Sequence, residues 1–167
     1  MEREALVHPF PPCIDERSRV LFLGSFPSPK SRENGFFYGH PQNRFWKVMA
    51  ALFDAPLPQS NEEKAAFAKL HRIALWDVLA SCEITGAADS SIKNPVPNPI
   101  GELVQTHDLR LVCTTGNKAS ALYDRFFGEI ELPHWCLPST SPANAGCSLS
   151  QLMETYREIL PFLEETP

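Results

Sequence analysis

The chain has 167 residues, 43% of them hydrophobic and 21% charged, a balance that supports one sizeable core and excludes a disordered chain. Its formal net charge of −5 opposes general nucleic-acid binding, so any such contact has to be small and locally basic. No apolar run approaches bilayer length, and Met1 to Ala5 lacks the layout of a secretion signal, so a cytoplasmic, monomeric single domain over 1–167 is expected.

The predicted elements alternate. Arg19 to Gly24 is a short apolar run ended by glycine, as in a buried strand. Asn43 precedes Phe45 to Phe53, whose apolar positions fall at helical spacing, and Asn61 to Arg72 reads as a second helix. Ile73 to Leu79 is another buried stretch. Asn98 is placed to cap a helix with Pro99 in its first turn, running through Leu103 and Val104. Leu109 to Thr115 is strand-like, Gly116 opens a helix through Phe126, and Ile130 to Leu137 returns as a strand. Ser148 and Gln151 form a capping box for the last helix, whose buried side runs from Leu149 through Leu152, Met153, Tyr156, Ile159 and Leu160 to Leu163.

Such alternation predicts a three-layer α/β/α sandwich with a central, mainly parallel sheet. Sites in these folds lie at the carboxyl ends of strands. Three loops leave strand ends, at 25–43, 115–118 and 138–147, and they are expected to converge.

The chemistry on offer is limited. Five cysteines are scattered, odd in number and never spaced Cys-x-x-Cys, which argues for reduced thiols; no metal or other cofactor is expected. The five histidines (His8, His40, His71, His107, His134) show no ligand-like spacing and read as surface or structural. The first loop offers small residues at Gly24 and Ser25, several aromatic faces, and an amide, Asn43, at a helix start. A flat heterocycle can stack there and hydrogen-bond along its edge; equally, the stretch can be a proline-rich connection with Asn43 as a helix cap. The third loop, Ser139-Thr140-Ser141-Pro142-Ala143-Asn144, suits phosphate contacts and a stiff tip for a base stack, or a plain surface turn. Lys30, Arg32, Arg44 and Lys47 lie in one stretch and can form either a local basic patch or an ordinary solvated face.

Together these segments resemble the uracil-DNA glycosylase superfamily, and most closely its hypoxanthine-DNA glycosylase (deoxyinosine glycosylase) family. The resemblance rests on Gly24-Ser25-x-Pro27, His40-Pro41-x-Asn43-x-Phe45-Trp46, Ala74 to Leu79 and Ser139 to Ala143, with an echo at Val96-Pro97-Asn98. It implies a monofunctional glycosylase that hydrolyses the N-glycosidic bond of deaminated bases in DNA, hypoxanthine preferred. The water-positioning asparagine of the mismatch-specific uracil glycosylases falls at Phe26, which cannot orient water. The resemblance therefore moves the catalytic role to Asn43, with Ser25 supplying part of the site. It puts Tyr38 against the flipped base, Phe26, His40 and Thr115 around it, and Ser139 to Asn144 on DNA. The alternatives are a uracil or xanthine glycosylase, an inactive DNA-binding member of the fold, and an esterase using Ser25 or Ser139.

Overall fold

The computed structural model describes residues 3–86 and 88–164. Its centre is a parallel sheet of β2 (Val20–Gly24), β3 (Ile73–Asp77), β6 (Leu111–Thr115) and β7 (His134–Leu137), in the order β3-β2-β6-β7. Val20, Leu21, Phe22 and Leu23 are all fully buried, as expected of a strand covered on both faces. On one face Phe22 meets the Phe45 ring edge-on at 5.3 Å and stacks on Tyr156 at 6.2 Å, tying the sheet to α2 (Phe45–Leu52) and α6 (Leu149–Tyr156). Helices flank this sheet, giving the three-layer α/β/α arrangement.

A second sheet was not foreseen. β1 (Arg3–Val7), β4 (Leu79–Thr85) and β5 (Lys93–Pro97) pair antiparallel in the order β1-β4-β5. The stretch from Ile73 to Leu79, expected as one element, therefore divides at Val78: β3 ends at Asp77 and β4 begins at Leu79 in the other sheet. Asn98 holds this crossing. Its Nδ2 donates to the carbonyls of Asp77 (2.9 Å) and Leu79 (3.1 Å). It is consequently not the expected helix cap; Pro99 fills that position before α4 (Ile100–Thr106), with no side-chain cap bond.

Other elements follow their local signals. Ser60 caps α3 (Asn61–Leu70), and Gly116 opens α5 (Asn117–Phe127) at φ 98°, a conformation open to glycine. Ser148 and Gln151 form the expected capping box. The last helix is broken, however: α6 gives way to a 3₁₀ turn at Arg157–Ile159 and then α7 (Leu160–Leu163), with Pro161 in the first turn of α7. Leu149, placed on its buried side, is exposed. Strand β7 is shorter than expected, starting at His134 instead of Ile130. The short helix α1 (Pro29–Asn34) is an addition, capped by Ser28 and ended by Gly35. Among the described residues no helix is long and apolar enough to cross a membrane.

Candidate active site

A cavity of about 420 Å³ opens at the carboxyl ends of β2, β3 and β6, within the size range of small-ligand sites. All three predicted loops contribute: Ser25 to Lys30, Phe37, Tyr38, His40 and Asn43 from the first, Thr115 from the second, Ser139 to Ala143 from the third. Asn144 does not line it.

Asn43 is fixed by two bonds to the same atom. Its Oδ1 accepts the N–H of Phe45 at 2.9 Å and the hydroxyl of Thr140 at 2.8 Å. Because a backbone N–H has to meet an oxygen, the amide orientation is settled. Among the described residues no acceptor meets Nδ2, so Asn43 offers the cavity donors only. The helix-cap reading of Asn43 is corrected: Arg44 is the N-cap of α2, without a side-chain cap bond, and Asn43 lies one residue before it, its oxygen closing a turn onto the N–H of Phe45.

Tyr38 sits in the left-handed region at φ 54°, a strained position for a residue with a side chain. Its ring stacks on Phe45 with centroids 3.9 Å apart and planes 9° from parallel, and its hydroxyl lies 3.3 Å from Thr115 Oγ1. One face is therefore occupied by Phe45, and the residue also lines the cavity. Burial raises the pKa of this hydroxyl well above its ordinary value, more than the bond to Thr115 lowers it. Phe26 is 8% exposed, edge-on to His8 at 5.9 Å, with the Arg32 guanidinium 5.9 Å from its centroid. It forms a wall of the cavity, and no acceptor among the described residues meets its backbone N–H. His40 Nδ1 accepts the N–H of Gln42, leaving Nε2 for another partner.

The third loop is braced from within. Ser139 and Ser141 hydroxyls accept the N–H groups of Ser141 and Ala143, and Asn144 Nδ2 donates to the carbonyl of Ser139. Arg44 donates to the carbonyls of Cys147, Ser141 and Asn144. Of the four cations of this stretch, Arg44 is committed to the loop, and Lys30 pairs with Glu33 at 3.4 Å. Thr140 is 1% exposed, so its hydroxyl serves Asn43.

Three polar residues of the site escaped the sequence reading. Asp77 ends β3 at the cavity floor and accepts from His8 Nε2 at 2.7 Å, with both side chains buried. Asp89, on the 3₁₀ turn Asp89–Ser91, accepts the hydroxyl of Ser25 at 2.9 Å. Its carboxyl titrates above its ordinary value: burial is the main cause, Asp77 adds to it, and Ser25 and Lys118 oppose it. An acid inside the apolar run Ala74 to Leu79 was the available signal for Asp77, since buried carboxylates need a partner. Neither Ser25 nor Ser139 shares a hydrogen bond with a histidine among the described residues, which leaves the esterase alternative without its base.

Comparison with known proteins decides the family. The model of the uracil DNA glycosylase superfamily matches residues 11–163. The chain belongs to that superfamily. Hypoxanthine DNA glycosylases of Methanosarcina acetivorans and Methanosarcina barkeri are each 34% identical to it over 137 residues, covering 81% of this chain and 86% of theirs. A solution NMR structure of a candidate uracil DNA glycosylase from M. acetivorans superposes with a TM-score of 0.83 at 30% identity, covering 97% of this chain and all of that one. In superfamily terms, the cavity brings the Gly24–Pro27 and His40–Trp46 motifs of the first loop against the Ser139–Ala143 motif of the third.

Proposed function

We propose that this member of the superfamily is a monofunctional DNA glycosylase that releases deaminated bases, hypoxanthine foremost, at the start of base excision repair. Glycosylase activity follows from the family and from the named activity of two relatives. The observation that carries the mechanism is the pair of open donors, Asn43 Nδ2 and the Phe26 N–H, in a cavity walled by aromatic rings.

Breaking the N-glycosidic bond builds positive charge on the sugar ring and negative charge on the base. Donors aimed at the base oxygen stabilise the second charge, in the manner of an oxyanion hole. Asn43 and the Phe26 N–H take this role, with Ser25 holding the loop on Asp89. Because Asn43 Oδ1 is already engaged, its amide is a poor base for water and a good clamp for a leaving group. The base reaches the cavity by leaving the stack, a step that costs a few kcal/mol and least for a mispaired base. Tyr38, His40 and Thr115 then flank the base, while Ser139, Ser141, Pro142 and Ala143 meet the strand, with Thr140 buried against Asn43 and Asn144 behind. We take the protein to act as a monomeric single domain over 1–167, in the cytoplasm, without a metal ion.

The test is a panel of duplexes carrying deoxyinosine, deoxyuridine or deoxyxanthosine, incubated with the protein and treated with alkali. Strand cleavage is expected with deoxyinosine first. No cleavage of any of the three would overturn the proposal, and a borohydride-trapped covalent adduct would contradict a monofunctional reaction.

A further inference from the structure

Asp77 is only 6% exposed yet forms part of the cavity wall. A carboxylate withdrawn from water is costly unless donors meet its oxygens. Oδ2 has one, the Nε2–H of His8 at 2.7 Å. The tautomer is fixed from the other side of the ring, where His8 Nδ1 accepts the N–H of Phe10 at 3.1 Å. The single ring proton therefore lies on Nε2, and His8 acts as a neutral donor. Oδ1 has no protein donor among the described residues. It stands over Gly24, 2.5 Å from where a β-carbon would sit, so only glycine at that position leaves it room.

The fold orients this open acceptor from several directions. The amide of Asn98 clasps the carbonyl of Asp77 itself and that of Leu79. Strand β1 delivers His8, whose N–H bonds Ala80 O at 2.7 Å, and Phe26 packs on the imidazole. Asn43 Nδ2 and the Phe26 N–H, open groups of the same cavity, are donors, and its second carboxyl, Asp89, is turned through Oδ1 to the Ser25 hydroxyl. One acceptor with donors nearby is the complement of a lactam edge, a ring N–H beside a carbonyl.

We infer that Asp77, positioned by His8, is the specificity-determining acceptor that reads the ring N1–H of hypoxanthine, an inference that rests on the glycosylase reading above. The same contact admits xanthine and uracil, which carry a lactam N–H. Adenine presents a bare ring nitrogen there, so lone pairs would face the carboxylate and leave it unpaired. Sites built around such a bond reject the analogue lacking it by roughly 10⁴–10⁵-fold. His8 precedes the residues matched by the superfamily model, so this half of the pair lies outside the matched region.

The experiment measures single-turnover release from duplexes carrying deoxyinosine, 1-methyldeoxyinosine or deoxyadenosine. Wild type is expected to release hypoxanthine at least ~100-fold faster than its 1-methyl derivative. Asp77→Asn keeps the shape, and His8 still claims the carboxamide oxygen, so an NH₂ group replaces Oδ1. Release of hypoxanthine should fall by ~100-fold or more, the 1-methyl penalty should shrink to about fivefold or less, and the preference over adenine should collapse. A wall that merely excludes the methyl group would keep the penalty in Asp77→Asn, and that result overturns the inference. So does wild type releasing both bases equally well, a measurement that needs no variant to fold. His8→Phe should lower the preference for hypoxanthine over adenine, with partial rescue by His8→Gln; a preference unchanged in both removes His8. Wild type inactive on deoxyinosine, deoxyuridine and deoxyxanthosine alike overturns the glycosylase reading, and this inference with it.

Discussion

Asn43 has its carboxamide oxygen engaged twice, by Phe45 and by Thr140, so it meets a substrate only as a donor. A donor to a developing anion is worth about 10²–10³ in rate, and Asn43→Ala is expected to slow single-turnover release of hypoxanthine by that much. Asn43→Asp keeps the engaged oxygen but turns the other end into an acceptor, and should be no faster than Asn43→Ala. A loss below about tenfold in Asn43→Ala would remove it from the catalytic role. Tyr38 separates its two contacts in the same way. Tyr38→Phe preserves the stack on Phe45 and loses only the link to Thr115, so a mild effect is expected; Tyr38→Ala removes the ring and should be severe. Equal losses in the two variants, measured on the same duplex, would mean that the ring does not support the base.

At the scale of elements, the loop at 138–147 is held both by its own side chains and by one arginine that reaches it from the start of α2. Arg44 donates to the carbonyls of Ser141, Asn144 and Cys147, so Arg44→Leu leaves partly buried acceptors unmet. A loss of about 1–3 kcal/mol in unfolding free energy is expected, read by denaturant titration, with faster amide exchange in that loop. Unchanged exchange there would show that the loop holds itself. The strands β2 and β6, the capping box and the convergence of three strand-end loops were legible because their signals are local: apolar runs, spacing and turn residues. The rest was not local. Asn98 looked like a helix cap, yet its amide bridges backbone on either side of Val78, which no spacing announces. His8 and Asp77 are 69 positions apart, and Ser25 and Asp89 are 64 apart. Each member of these pairs is unremarkable alone, and only the packing of β1 on β4, at the end of β3, joins the first pair.

For the molecule as a whole, pH and salt report on different parts. Burial lowers the pKa of His71, which stacks on Phe53 at 4.1 Å, and that of His134, where Asp124 offsets the effect only in part. A folded pKa below the unfolded 6.5 means stability fully present above about 6.5 and lost as pH falls through the folded value. The melting temperature should therefore drop on acidification from pH 7 to pH 5, less so in His71→Phe; parallel curves would exclude His71 as a cause. Salt tests the paradox of a chain of net charge −5 that acts on DNA. Of four cations near the first loop, Arg44 is held inside the protein, which leaves at most Lys30, Arg32 and Lys47 for phosphates, Lys30 only by giving up its exposed pair with Glu33. With no more than about three phosphates neutralised, log K should fall with log salt with a slope near −2.7 or shallower. Affinity for a deoxyinosine duplex should then drop less than about fiftyfold between 50 and 200 mM salt. A slope of about −6 or steeper would require a basic surface that these residues do not provide, and would place the DNA on another face.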